Sequence, residues 1–267
     1  PGDTVSIGIA QRIRPGWHTY WRNPGDSGQP TAIAWTLPAG YSAGPIQWPV
    51  PEKLPIGPLA NYGYEGEVLL LTDIAVPASA TAPAKIAAHA KWLVCNPERC
   101  IPQEADLALD PAASDWGRQI SHARDGLPEA ASGWTLKASG VAGGVSLEMV
   151  PPKEFQAKTL QYFPYDEGVV QHAAAQPLER SDAGLRLFIP VAAQPVGEFS
   201  RVRGLLVADG VPGFEVDVPV ARVALLTLKS RSEDKVKFSA DHVKRELEKQ
   251  VSEIKDNTRA ITPFQRH

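Results

Sequence analysis

The stretch Ile86–Leu109, IAAHAKWLVCNPERCIPQEADLAL, decides how this chain folds. Its first half alternates. Ile86, Ala88, Ala90, Trp92 and Val94 take one side, and Ala87, His89, Lys91 and Leu93 the other. In its second half Ala105, Leu107 and Leu109 interleave with Glu104, Asp106 and Ala108. Successive side chains of a strand point to opposite faces, so period two is the pattern of a half-buried strand. Between the two runs lies Asn96-Pro97-Glu98-Arg99, which suits a type I turn with Asn at the first corner and Pro at the second. A four-residue hairpin loop puts Cys95 opposite Cys100. At a non-hydrogen-bonded cross-strand pair the backbones come within ~4.5 Å, so the local geometry permits a disulfide.

Working outward, the same alternation recurs. Val5, Ile7 and Ile9 form one run, and Ile33, Trp35 and Leu37 another. Later runs are Val145, Leu147, Met149; Leu185, Leu187, Ile189; and Phe214, Val216, Val218, Val220. Each is short and bounded by Gly or Pro, the signature of β-sandwiches. The 22 Gly and 25 Pro among 267 residues agree with a turn-rich chain. One helical stretch interrupts, over about 114–124, with Trp116, Ile120 and Ala123 on one face and Gly126 and Pro128 as a stop. The predicted architecture is mainly β: a first sandwich over 1–112, a helical linker over 113–133 and a second sandwich over 134–228. A single larger sandwich is the alternative.

Residues 229–267 differ in kind. They hold 17 charged residues among 39 and carry net +3, against −6 for the rest. Val243, Leu247, Val251 and Ile254 recur at helical spacing, with Ser239 as a candidate N-cap. A charged helix or partly disordered tail is expected there, with a boundary near Lys229.

Bulk composition excludes some functions. A net charge of −3 leaves no nucleic-acid footprint. No run of eighteen apolar residues provides a membrane-spanning helix. Pro1 in place of Met suggests a processed or trimmed chain whose signal peptide would be missing.

The chain has two cysteines, too few for a four-thiolate zinc site. The residues alone leave three uses open: a redox pair, a passive disulfide, or metal ligation. As a staple the pair would be weak, because closing a loop of six residues is worth only about 2 kcal/mol by chain entropy. A strand-borne pair also lacks the helix N-terminus that lowers a thiol pKa. Arg99 would favour a thiolate and Glu98 oppose it, so a near-ordinary thiol that depends on a more reactive partner is expected.

Other candidates are weaker. Leu59–Gly66, LANYGYEG, lacks a dinucleotide fingerprint and reads as a hairpin loop or a mobile aromatic lid. His89 shares a strand face with Cys95, as a copper or zinc ligand or simply a surface histidine. Trp17, His18, Tyr20 and Trp21 read as core and rim. His172 reads as a loop or strand-end residue. No serine–histidine–acid arrangement or singled-out carboxylate pair is present, and no cofactor or metal is expected.

Several of these segments carry a family resemblance. Gly16–Gly28 (GWHTYWRNPGDSG), Asn61–Gly66 (NYGYEG) and Trp92–Pro102 resemble the N-terminal periplasmic region of DsbD-type thiol:disulfide interchange proteins. The branch called suppressor of copper sensitivity B (ScsB) is most similar, through Tyr162–Gly168 (YFPYDEG) and Gln171–Ala173 as well. The resemblance implies immunoglobulin-like domains and a periplasmic location. Cys95 and Cys100 would then be the catalytic pair. It would take electrons from a membrane-embedded domain, absent from this chain, that tethers the protein to the inner membrane. It would pass them to thioredoxin-like proteins, with Cys100 meeting the partner and Cys95 resolving the mixed disulfide. Asn61, Tyr62, Gly63 and Tyr64 would match the cap that shields the pair. The chain departs from DsbD in its four-residue cysteine spacing and in having Asn61 where DsbD has a cap aromatic. The alternative class is a binding or folding-helper module with a structural disulfide and a link to copper tolerance.

Overall fold

Alternating strands pair into antiparallel ladders through both halves of the molecule. The computed structural model describes residues 3–80, 85–109, 116–209 and 213–221. The first half runs β1 (Thr4–Arg12), β2 (Thr19–Gly25), β3 (Ala32–Thr36), β4 (Ser42–Gln47), β5 (Glu52–Ile56), β6 (Leu59–Tyr64), β7 (Glu67–Ala75), β8 (Ile86–Cys95) and β9 (Cys100–Leu109). They form three sheets, ordered β1-β7-β4, β2-β6-β5 and β3-β8-β9. An isolated bridge between His18 and Cys95 joins the approach to β2 to the end of β8.

Helix α1 (Gly117–Asp125) follows, close to its expected place. Arg124 in its last turn reaches back to β7, 3.1 Å from the Asp73 carboxylate, and to the Ser6 hydroxyl on β1.

The second half runs β10 (Glu129–Ala130), β11 (Thr135–Val141), β12 (Gly144–Val150), β13 (Leu160–Pro164), β14 (Leu178–Ser181), β15 (Gly184–Pro190), β16 (Arg201–Ala208) and β17 (Phe214–Ala221). The sheet order is β13-β16-β17-β11-β12-β15-β14, with β10 beside β17. Strand β17 serves both halves of this sheet. Its first residues pair with β10 and β16, and its last two with β11. The sheet thereby folds over one core, in which Leu147, Leu187 and Ile189 pack with Tyr162, Val202 and Leu206.

The fold is mainly β, built as two immunoglobulin-like sandwich domains. Predicted inward residues of β12 and β15 are buried, whereas Val5 is 44% and Leu107 39% exposed. Both lie on β1 and β9, edge strands with a sheet neighbour on one side only. At Leu107 an open groove of about 340 Å³ is lined by Ile9, Trp92, Ile101 and Leu107. The compact unit that holds both domains is Pro1–Val223. The tail helix expected over 243–254 and the boundary at Lys229 lie outside the described residues.

The domains are held by more than their linker. A cluster of Trp21, Tyr62, Tyr64, Val68 and Leu70 from the first joins Phe163 and Leu205 from the second. Tyr62 sits edge-on to Phe163 with ring centroids 4.9 Å apart. Burying aromatic side chains of this size contributes roughly 2–3 kcal/mol each.

Candidate functional site

The tip of the β8–β9 hairpin forms as its turn residues require. Asn96 Oδ1 accepts from the backbone N–H of Glu98 at 3.0 Å and of Arg99 at 2.9 Å, and Asn96 N–H donates to the Arg99 carbonyl at 3.0 Å. This closes the loop and sets Cys95 directly across from Cys100. The N–H and C=O of Cys95 turn the other way, to the C=O and N–H of His18 at 3.0 and 2.9 Å. Cys95 and Cys100 therefore form a non-hydrogen-bonded pair, the closer of the two antiparallel spacings. Their Cα atoms are 4.1 Å apart and the sulphurs are bonded as a disulfide.

The two sulphurs have unequal surroundings. Cys95 is 2% exposed, covered by the chain at His18, whereas Cys100 is an exposed residue. Beside Cys100 lies Tyr20, its hydroxyl 3.9 Å from Cys100 Sγ and 3.2 Å from His18 Nε2. His18 and Tyr20 are both buried, with rings edge-on at 5.1 Å. Burial holds the His18 imidazole below its ordinary pKa, against the opposing charge of Glu65, and pushes the Tyr20 phenol up. Both are neutral at pH 7, so an uncharged, mutually hydrogen-bonded pair of rings lies beside the disulfide, with the Tyr20 hydroxyl toward Cys100. Arg99 on the loop stands over Trp17, 5.7 Å from the ring centroid.

The position of Tyr20 depends on two glycines. A Cβ at Gly28, where φ is +109°, would lie 2.1 Å from the Tyr20 ring. A Cβ at Gly63, opposite Tyr20 in the ladder, would lie 1.9 Å from the Thr19 carbonyl oxygen. Only hydrogen fits at either place.

The expected lid is corrected by the structure. Asn61–Tyr64 is not a loop but part of β6, held between β2 and β5. Tyr62 and Tyr64 enter the interdomain cluster, where Tyr62 meets Phe163 and His172 and the Tyr64 hydroxyl donates to the Pro49 carbonyl. The tyrosine beside Cys100 Sγ is Tyr20, through its hydroxyl. Asn61 supports that contact indirectly: its Oδ1 accepts from Ser27 N–H at 3.2 Å and Ser27 Oγ at 3.1 Å, fixing the turn before Gly28.

His89 is likewise separate from the pair. It stands six residues back along β8, with Nδ1 2.7 Å from Asp106 and Nε2 3.6 Å from Glu104 on the neighbouring strand. Among the described residues no group of three or more His, Cys, Asp or Glu could hold a metal ion. No helix there is long and apolar enough to cross a membrane. His172 lies in a loop as expected, but it is buried, with Nδ1 3.2 Å from the Tyr62 hydroxyl.

Reading the sequence missed His18 and Tyr20 as neighbours of the sulphurs. The available signal was their spacing of two, which places both on one face of an extended segment. What it lacked was the neighbour across that face, Cys95, which is 77 residues away in sequence.

Comparison with known proteins agrees with this geometry. Residues 1–112 match the family model for the N-terminal region of thiol:disulfide interchange protein DsbD. No curated protein matches the chain. Among solved structures, the N-terminal periplasmic domain of ScsB from Proteus mirabilis aligns with TM-score 0.64 at 18% identity, covering 82% of this chain and 89% of that one. At that identity the likeness shows the shared fold. The CupB2 chaperone of Pseudomonas aeruginosa aligns over 82% of this chain and 93% of that one at 9% identity, with a TM-score of only 0.20, which carries no argument. With a disulfide at the tip of their last hairpin, residues 1–112 belong to the family of DsbD N-terminal thiol:disulfide interchange domains.

Proposed function

We propose that this protein is a periplasmic relay module whose Cys95–Cys100 pair carries two electrons from a membrane-embedded donor domain to thioredoxin-like partners. The observation that carries the reading is the asymmetry of the pair, Cys95 a buried residue bridged to His18 and Cys100 an exposed residue with Tyr20 beside its sulphur. Exchange proceeds by attack of a thiolate on a disulfide sulphur, so access decides which sulphur meets the partner. In the reduced state the Cys100 thiolate attacks the partner's disulfide. A bond forms from Cys100 Sγ to one partner sulphur, and the other leaves as a thiolate that takes up a proton. The Cys95 thiolate then attacks Cys100 Sγ and expels the first partner sulphur. The partner has gained two electrons and the pair has lost them. A donor dithiol reverses these steps and recharges the module.

Tyr20 is the shield in this scheme. Its hydroxyl stands 3.9 Å from Cys100 Sγ, and the fold already holds it there, so the side chain closes one side of the approach at little conformational cost. Such cover suits a dithiol in an oxidising compartment, where small disulfides would otherwise drain it.

The test is trapping. Cys95→Ala should hold a thioredoxin-like partner as a mixed disulfide through Cys100, and Cys100→Ala should hold none. The reverse pattern would exchange the two roles, and no trapping by either would end the relay reading. A reduction potential below about −300 mV would mark the bond as a structural staple.

A further inference from the structure

Strand β2 touches both the disulfide and the second domain. At its start, His18 and Cys95 exchange two backbone hydrogen bonds, and Tyr20 stands beside Cys100 Sγ. Its pairing with β6 is regular at Thr19 and Tyr20 and resumes only at Gly25, with a register shift between. The segment 21–24 therefore lacks a regular ladder on that side, and its position must come from elsewhere.

The second domain supplies it. Asn23 is fully buried, and its Nδ2 donates to the carbonyls of Pro164 at 2.9 Å and Asp166 at 3.1 Å. Its Oδ1 accepts from Gly25 N–H at 3.0 Å. The Trp21 ring packs edge-on against Phe163 with centroids 6.3 Å apart. The Arg22 guanidinium lies 4.2 Å from the centre of the Tyr165 ring. Three consecutive residues of the irregular segment thus each grip the segment 163–166 of the other domain. Tyr20 immediately precedes them.

We infer that the second domain sets the reactivity of Cys100 by holding β2, with Asn23 as the principal positioning residue for Tyr20. Losing both Asn23 hydrogen bonds to the second domain frees the irregular segment, and the Tyr20 hydroxyl then no longer keeps its place beside the sulphur. The second domain is on this account part of the redox unit. The inference rests on the reading of Tyr20 as a shield, and its experiment separates the two.

The readout is the second-order rate at which the reduced protein reacts with hydroxyethyl disulfide, at a temperature where each variant is folded by circular dichroism. Coupled contacts of this kind are worth roughly 2- to 100-fold. Tyr20→Ala should raise the rate about tenfold. Asn23→Ala should raise it several-fold in the otherwise unchanged protein and add nothing on top of Tyr20→Ala, an effect that general destabilisation would not produce. Lys53→Met, which removes a different interdomain bond, from Nζ to the Ala174 carbonyl at 3.1 Å, should leave the rate unchanged. If Asn23→Ala does not fold, Phe163→Leu takes its place in the same cycle. An unaltered rate in the folded variant, additivity with Tyr20→Ala, or equal acceleration by Lys53→Met would overturn the inference while leaving the shield intact. An unaltered rate in Tyr20→Ala would overturn the shield itself, and this inference with it.

Discussion

The tip of the β8–β9 hairpin and strand β2 meet at Cys95, yet they are positioned in opposite ways. The hairpin is a local object. Ten residues of β8 pair in register with ten of β9, and one Asn side chain closes the loop between them. Strand β2 has a ladder over only part of its length and is held from both sides by distant residues: Cys95, Gly28 and Gly63 in its own domain, Pro164 and Asp166 in the other. Its other face adds a buried link, from Thr19 Oγ1 to Gln11 at 3.1 Å and from Gln11 to Thr31 at 3.0 Å. Chemistry sits on the element that needs little support, and control of that chemistry sits on the element that needs much. A reactive pair must present the same geometry to each partner, which local bonds guarantee. A shield can respond to the rest of the molecule only if the rest of the molecule holds it.

The comparison breaks most completely at Cys100. Cys100→Ala should abolish thiol exchange while leaving the melting temperature within a few degrees, since the ladder and turn remain; exchange assays and thermal unfolding check both. Next comes Tyr62→Ala, which empties space in the interdomain cluster. A cavity of that kind costs roughly 3–5 kcal/mol, which in a domain pair of this size is about 10 °C in melting temperature. A shift under 2 °C would show that the shared cluster does not hold the domains.

A third change acts on the shield alone. Gly28→Ala puts a methyl where the Tyr20 ring lies, so the ring must move. Reaction of the reduced pair with a small disulfide should accelerate several-fold, with roughly 1–3 kcal/mol lost in stability from the positive φ. Stopped-flow rates unchanged from the parent protein would mean that the ring can shift without opening the sulphur.

The fourth is a pH dependence set by two buried histidines, His18 just before β2 and His172 against Tyr62 of β6. Burial holds His18 and His172 below the ordinary imidazole pKa. Glu65 opposes this at His18. At His172 Asp26 and Glu167 oppose it and Lys53 adds to it. The unfolded chain takes up protons near pH 6.5 while the native state resists them, so stability present above that value is lost as pH falls below it. Melting temperature should drop between pH 7 and pH 5, and His172→Gln should flatten the curve. A steeper curve in that variant would reverse the sign assigned here. The smallest effect belongs to His89→Ala, remote from the pair and only half-buried. Exchange rates should not change and stability should move by no more than about 0.5 kcal/mol.

Much of the hairpin is legible in the sequence alone. Alternation marked β8 and β9, and Asn96-Pro97 marked the turn, because these signals act between residues close in sequence. The segment Asn61–Tyr64 misled for a related reason. Gly and Asn usually signal a loop, but here Gly63 sits in a strand because the Thr19 carbonyl leaves no room for a Cβ. His18 and Tyr20 were visible as aromatics without a destination. Their neighbours come from β6, β8 and the Gly28 turn, and no local rule names those partners.

The sequence by itself determined that this is a mainly β, sandwich-type chain with a cysteine pair facing across a hairpin. It could do so because strand periodicity, turn chemistry and cross-strand spacing are short-range constraints. Only the tertiary structure decided that one cysteine is buried and the other open, that Tyr20 rather than Tyr62 or Tyr64 stands beside the open one, and that the second domain grips the strand carrying it. Those outcomes depend on which distant surfaces come to share a core, as Trp21 and Phe163 do, and such pairings arise from packing the whole unit rather than from any single stretch of residues.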